Sequence, residues 1–203
     1  MFSPYKLTSI DSNFLEISSN PDLSNRLTEF FENDQSDYLW KITTLRQTMA
    51  EELKNTCMIP LRHPVPLDPQ LLKSTNQWNQ VLNIEDTNIL KQHKIFQELC
   101  QWTETSLSLT GAQHIELGRI FFSKHYKHSI IGLHTDQGSY FDYYDRFHFV
   151  INQSDGNNIF YIRDEPIALQ TGKFYWVNNH VPHWLENKST VDRINVIIDA
   201  RLS

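Results

Sequence analysis

From Ile115 onward, apolar residues come in short runs bounded by turn residues: ELGRIFFS, DRFHFVIN, NIFYIR, GKFYWV, VPHWLE and RINVIIDA. Runs of this length, separated by punctuation such as SDGNN and QTG, predict the strands of an antiparallel sandwich or barrel. The first half has a different period. NPDLSNRLTEFFEND sets Leu23, Leu27, Phe30 and Phe31 at helical spacing, with Asn20 as N-cap and Pro21 at the first helical position. Helical spacing also predicts a segment from Leu45 to Cys57 and a longer one from about Asp86 to Leu107, where Ile95, Phe96, Leu99 and Trp102 share a face. Between these, IPLRHPVPLDP carries four prolines and predicts an extended loop. Helices before strands predict an α+β layout in which helices buttress a sheet.

Length and composition narrow this picture. A chain of 203 residues, 39% hydrophobic and 21% charged, is a folded protein with room for one core. We therefore expect a single domain over 1–203, with 1–112 supplying helical support and outer strands and 113–203 the core carrying the site. A formal charge of −6 gives no footprint for nucleic acid or an anionic membrane. No apolar run approaches bilayer length and the N-terminus lacks a signal-peptide pattern, so the expected location is the cytoplasm. Cys57 and Cys100 lack C-x-x-C spacing, which argues against a disulfide framework or a thiolate zinc site.

Candidate chemistry concentrates in IIGLHTDQGSYFDYYDRFHFVI. With nine histidines in the chain, His134-Thr135-Asp136 is close to a chance event by itself. Side chains two apart at a strand end point to one side, however, so imidazole and carboxylate can converge there. A second histidine from a neighbouring strand, His183 or His180, would complete a 2-His-1-carboxylate triad with open positions on ferrous iron. Arg193 opens an otherwise apolar strand; it either snorkels to water beside Asp192 or presents its fork to a small dicarboxylate. Arg146 and His148 alternate with Phe147, Phe149 and Ile151, so if those three face the core, Arg146 and His148 share the opposite side.

Together these residues resemble the Fe(II)- and 2-oxoglutarate-dependent oxygenases of the aspartyl/asparaginyl β-hydroxylase type. The resemblance runs from about Gly118 to Arg201. Ser123 stands eleven positions before His134, R-x-H follows at Arg146 and His148, H-x3-N at His183 and Asn187, and Arg193 ten positions after His183. It implies a double-stranded β-helix, a cupin-like jelly-roll barrel. It also implies iron held by His134 and His183, to which the H-x-D reading adds Asp136 as third ligand, and 2-oxoglutarate held at its distal carboxylate by Arg193 with Ser123. Arg146 and His148 would line the cosubstrate or substrate pocket, and O2 would be the oxidant. Some members of the family manage with two histidines alone; here Asp136 stands at the carboxylate place.

Other readings stay open. A cupin-like module that merely binds a small acid or metal, and a zinc hydrolase, use similar residues, although zinc chemistry does not call for the Ser123 and Arg193 clamp. His114 and Glu116 form a competing H-x-E, and His180 a competing ligand. His125 and His128 read as solvated surface imidazoles, and Trp176 and Trp184 as structural. Tyr140, Phe141, Tyr143 and Tyr144 read as core or as a lid. The expected substrate is an amino acid or an amino-acid residue of a peptide or protein, with no nucleic acid or membrane partner. From the first half, Arg62 and His63 are the candidates to face it.

Overall fold

A computed structural model describes Leu7 and residues 12–64, 83–152 and 157–203. Along them run β1 (Phe14–Ser19), α1 (Pro21–Glu32), α2 (Leu45–Met49), β2 (Thr56–Pro64), β3 (Ile84–Asp86), α3 (Asn88–Gln92) and α4 (Lys94–Ser108). They continue with β4 (Ile115–His125), β5 (Ser129–His134), α5 (Ser139–Tyr143), β6 (Asp145–Asn152), β7 (Asn158–Ile162), β8 (Glu165–Ile167), β9 (Lys173–Val177), β10 (His183–Asn187) and β11 (Arg193–Leu202). Among the described residues every strand pairing is antiparallel. Seven strands form one sheet in the order β1-β9-β6-β11-β4-β2-β3 and four form another in the order β5-β10-β7-β8. This is the double-stranded β-helix.

Strand alternation divides the larger sheet into two chemically distinct faces. Phe147, Phe149 and Ile151 of β6, Ile194, Val196 and Ile198 of β11, and Ile120 and Phe122 of β4 join one apolar core with Leu23, Leu27 and Phe31 of α1 and Phe96 and Leu99 of α4. Each of these large side chains contributes about 1.5–3 kcal/mol by leaving water. The opposite face carries Arg119, Ser123 and His125 of β4, Arg146 and His148 of β6, and Arg193, Asn195 and Asp199 of β11, all turned away from that core. A second apolar cluster, including Ile131, Val150, Phe160, Ile162, Val177 and Leu185, fills the space between the sheets.

Helix α1 forms as its sequence predicts: the Asn20 side chain accepts from the Leu23 amide at 3.0 Å and Pro21 occupies the first turn. The expected second helix is shorter. It ends at Met49, and Cys57 already lies in β2. The expected third helix is interrupted at His93, whose ring packs against Phe30 and Phe96 at centroid separations of 5.4 and 5.0 Å. The proline-rich loop also needs correction. Its first part, Ile59–Pro64, is strand, tolerated because Pro60 sits where β2 has β4 on one side only and the register slips. The rest of that expected loop, and most of the SDGNN turn, lie outside the described residues. Among the described residues no helix is long and apolar enough to cross a membrane.

Candidate metal centre and its two chambers

His134 ends β5 and His183 opens β10, and the two face each other in register with ring centroids 4.3 Å apart. Asp136 joins them from just beyond β5. One ligand atom from each of the three lies within 4.8 Å of the other two. His134 Nδ1–H donates to the Gly132 carbonyl at 2.7 Å and His183 Nδ1–H to the Val181 carbonyl at 3.0 Å. A proton on each Nδ1 leaves the Nε2 lone pairs as ligands, the usual way a second contact fixes a metal-binding imidazole. His180 and His114 stand outside this cluster; Glu116 accepts instead from the Tyr143 and Tyr144 hydroxyls at 2.8 and 2.7 Å.

The carboxylate of Asp136 is held from two sides. Asn179 donates its amide nitrogen to Oδ2 at 3.0 Å and accepts the Asp136 backbone N–H through its own carbonyl at 3.0 Å. Arg146 donates Nη1–H to the same oxygen, and its Nε–H and Nη2–H go to Asp199 at 2.8 and 3.1 Å. Burial alone would push the Asp136 carboxyl up, but the charge of Arg146, with His183 and the Asn179 bond, draws it down to about 2. The acid is therefore ionised, as a ligand must be. Arg146, expected to line a cosubstrate or substrate pocket, does border both cavities beside these residues. All three of its nitrogens are engaged by Asp136 and Asp199, so it also braces the Asp136 carboxylate.

Two chambers open beside the triad, sharing walls at Arg46, His134 and Arg146. The inner one, about 50 Å3, is lined among others by Ser123, His125, His148, Arg193 and Asn195. Arg193 is 3% exposed, and its Nε and Nη2 have no hydrogen-bond partner; burial pulls its guanidinium down to about 10. His148 takes a hydrogen bond on Nδ1 from the Asn195 amide at 3.1 Å, and burial beside Arg193 and Arg146 holds it well below the ordinary range. The outer chamber, about 320 Å3, has Arg46, Phe121, Phe141 and Thr135 on its walls with Asp136.

Several expectations change here. His125, read as a surface imidazole, is 1% exposed and lines the inner chamber, whereas His128 is exposed. Arg62 pairs with Asp86 in a separate surface cleft with Glu116 and Tyr144, and neither Arg62 nor His63 lines either chamber. Arg46 of α2 is what the first half contributes: it is buried, its Nε is unpartnered, and among the described residues it has no ion pair. Among the four aromatics only Phe141 reaches a chamber; Tyr140 accepts the Arg119 backbone N–H at 2.9 Å, with the Arg119 guanidinium 3.7 Å from its ring. Arg119 and Asp199, joined at 3.0 Å, were missed. Their parity with Ser123 and Arg193 along β4 and β11 was the available signal.

No curated protein matches the sequence. Among solved structures, the viral collagen prolyl hydroxylase of Paramecium bursaria Chlorella virus-1, bound to 2-oxoglutarate, is similar with a TM-score of 0.55 at 9% identity, over 95% of this chain and 97% of that one. A 2OG-Fe(II) oxygenase family oxidoreductase from Burkholderia pseudomallei is similar with a TM-score of 0.51 at 11% identity. That match spans 72% of this chain and 66% of that one, a little under two thirds of its length. At such identities the likeness is one of fold. Sequence settles the rest: residues 6–202 match the aspartyl/asparaginyl β-hydroxylase family, and the chain belongs to it.

Proposed function

We propose that this chain hydroxylates an unactivated C–H bond of an amino acid, free or within a peptide or protein, using Fe(II), 2-oxoglutarate and O2. His134, Asp136 and His183 hold the iron, whose donor set of two imidazoles and one carboxylate suits a ferrous site with open positions. With iron bound, oxidative decarboxylation of 2-oxoglutarate to succinate and CO2 supplies the oxidant. The protein's part is to orient and to exclude water. Arg193, with the Ser123 hydroxyl, takes the distal carboxylate in the inner chamber, and His148 lines the path between that subsite and the iron.

One observation carries this reading: a buried guanidinium with two unpartnered nitrogens opens onto the same cavity as His134 and His183 of the three-ligand cluster. An unpaired buried charge is costly, and a dicarboxylate chelated at the iron relieves that cost. A zinc hydrolase has no use for such a group. The outer chamber is the substrate side, and Arg46 there favours a substrate that carries a carboxylate near the carbon to be hydroxylated. Both cysteines are free thiols, which fits the reducing cytoplasm.

The test is succinate release from the purified protein with Fe(II), ascorbate and 2-oxoglutarate, across amino acids and peptides bearing Asp, Asn or Pro. Release that requires iron and oxygen and rises with an acidic member of the panel is the expected result. A protein that binds 2-oxoglutarate yet releases no succinate under any of these conditions is a binding module, and the reading fails.

A further inference from the structure

His125 occupies a position that the reaction as described so far does not use. It lies on β4 two residues beyond Ser123, so the two side chains share a face, and in register it stands directly opposite Arg193 of β11. Both ring nitrogens are buried without a hydrogen-bond partner, and the residue lines the inner chamber. Leaving one buried polar atom unsatisfied is costly, and here a single ring leaves two. The groups that bear on it electrically are Arg193 and Arg46, both cations. Burial, then Arg193 and Arg46, hold the imidazole down to about 3, so it is neutral and offers one N–H.

We propose that His125 is a ligand-binding residue of the inner chamber, donating its N–H to the distal carboxylate of the cosubstrate beside Arg193 and thereby selecting a dicarboxylate over a monocarboxylate of equal length. This rests on the reading of that chamber as the 2-oxoglutarate subsite. The donor count supports it. An ionised carboxylate has about four acceptor sites. Arg193 can aim one N–H from each of its two unpartnered nitrogens, Ser123 adds one hydroxyl and His125 one N–H, and among the described residues no carboxylate lines the chamber to compete for them. A neutral ring suits the place better than another cation would. It adds a donor without adding another unbalanced positive charge to a small space already lined by Arg193, Arg46 and the ion-paired Arg146.

The experiment is an anaerobic calorimetric titration of the Fe(II)-loaded protein with 2-oxoglutarate and with 2-oxopentanoate, which has the same five-carbon chain but lacks the distal carboxylate. Wild type, His125→Leu and His125→Gln are compared, the first variant keeping bulk without a donor and the second restoring an N–H. The ratio of the two affinities in each protein does not depend on the fraction that is active. We expect His125→Leu to lose about tenfold in 2-oxoglutarate affinity, with 2-oxopentanoate unchanged, and His125→Gln to recover most of the loss. Equal 2-oxoglutarate affinity in wild type and His125→Leu overturns the proposal while leaving the chamber's reading intact. Parallel weakening of both ligands also overturns it, since that is the mark of a packing role. If wild type binds no 2-oxoglutarate at all, the reading of the chamber fails and His125's role goes with it.

Discussion

Four arginines border the chambers, and their partners divide them into two kinds. Arg119 and Arg146 share the carboxylate of Asp199, and Arg146 also reaches Asp136, so their charges are balanced within the protein. Arg46 and Arg193 have no ion pair among the described residues. A buried cation of the second kind lowers the stability of the empty protein and strengthens the binding of an anion. Arg193→Met, which keeps bulk and removes charge, is therefore expected to leave the melting temperature of the ligand-free protein equal or higher. The same change should raise the 2-oxoglutarate concentration needed for succinate release by about a hundredfold, as two charge-assisted hydrogen bonds are lost. A lowered melting temperature with an unchanged 2-oxoglutarate requirement would show that Arg193 is structural. At this scale the sequence was legible where residues sat on long strands: the alternation around Phe147 and Phe149 placed Arg146 and His148 on one side. It was misleading at SKHYKH, a polar-looking stretch in which Lys124 lies over the Trp40 ring at 4.4 Å while His125 turns inward.

The short helix α5 is pinned against β4 by contacts that depend on a missing side chain. A Cβ on Gly118 would come within 2.8 Å of the Tyr140 hydroxyl and 3.1 Å of the Asp199 carbonyl. The Tyr140 hydroxyl is the acceptor for the Arg119 amide, and Tyr143 and Tyr144 hold Glu116, so α5 is fastened at three points and sets Phe141 on the outer chamber. Gly118→Ala is expected to cost about 1–3 kcal/mol, as overpacking does. It should also displace α5, raising the KM of the amino-acid substrate more than that of 2-oxoglutarate. Denaturant midpoints and paired KM measurements check this; an unaltered midpoint would mean that α5 yields without cost. Elements of this length escaped the sequence reading for a physical reason. Five residues are too few to display a helical period, so α2, and with it Arg46, merged into a longer expected helix. Strand β2 was hidden by Pro60 and Pro64, which sit where its pairing is incomplete: Pro60 at a register slip with β4 on one side only, and Pro64 at the end of the strand beside β3.

Across the whole molecule, the larger sheet is a partition with aliphatic and aromatic side chains beneath it and ionisable ones above. The order of helices and strands and the period-two pattern were enough to anticipate that partition. The crossover of β5 and β10 into a separate small sheet depends on long-range pairing that no local pattern records. Burial of ionisable groups on this scale has a cost in acid. His63 and His125 are both drawn by burial to about 3, well below the 6.5 of an exposed imidazole. Between those values the unfolded chain holds protons that the folded one excludes, so stability is retained above about pH 6.5 and lost as the pH falls towards 3. Each ring contributes up to about 1.4 kcal/mol per pH unit in that window. Urea midpoints of the metal-free protein should therefore drop steeply between pH 7 and pH 5, with a shallower slope in His125→Leu. Constant midpoints over that range would refute it.

Strand β5 is the rim of the small sheet, with β10 as its one neighbour there, and His134 sits on the rim while His183 sits on that neighbour. An ion shared by the two would rivet the rim in place. Occupancy of the centre and the tendency of β5 to peel away then become a single equilibrium, so a substitution that loosens the rim far from any ligand would be felt as poorer retention of iron.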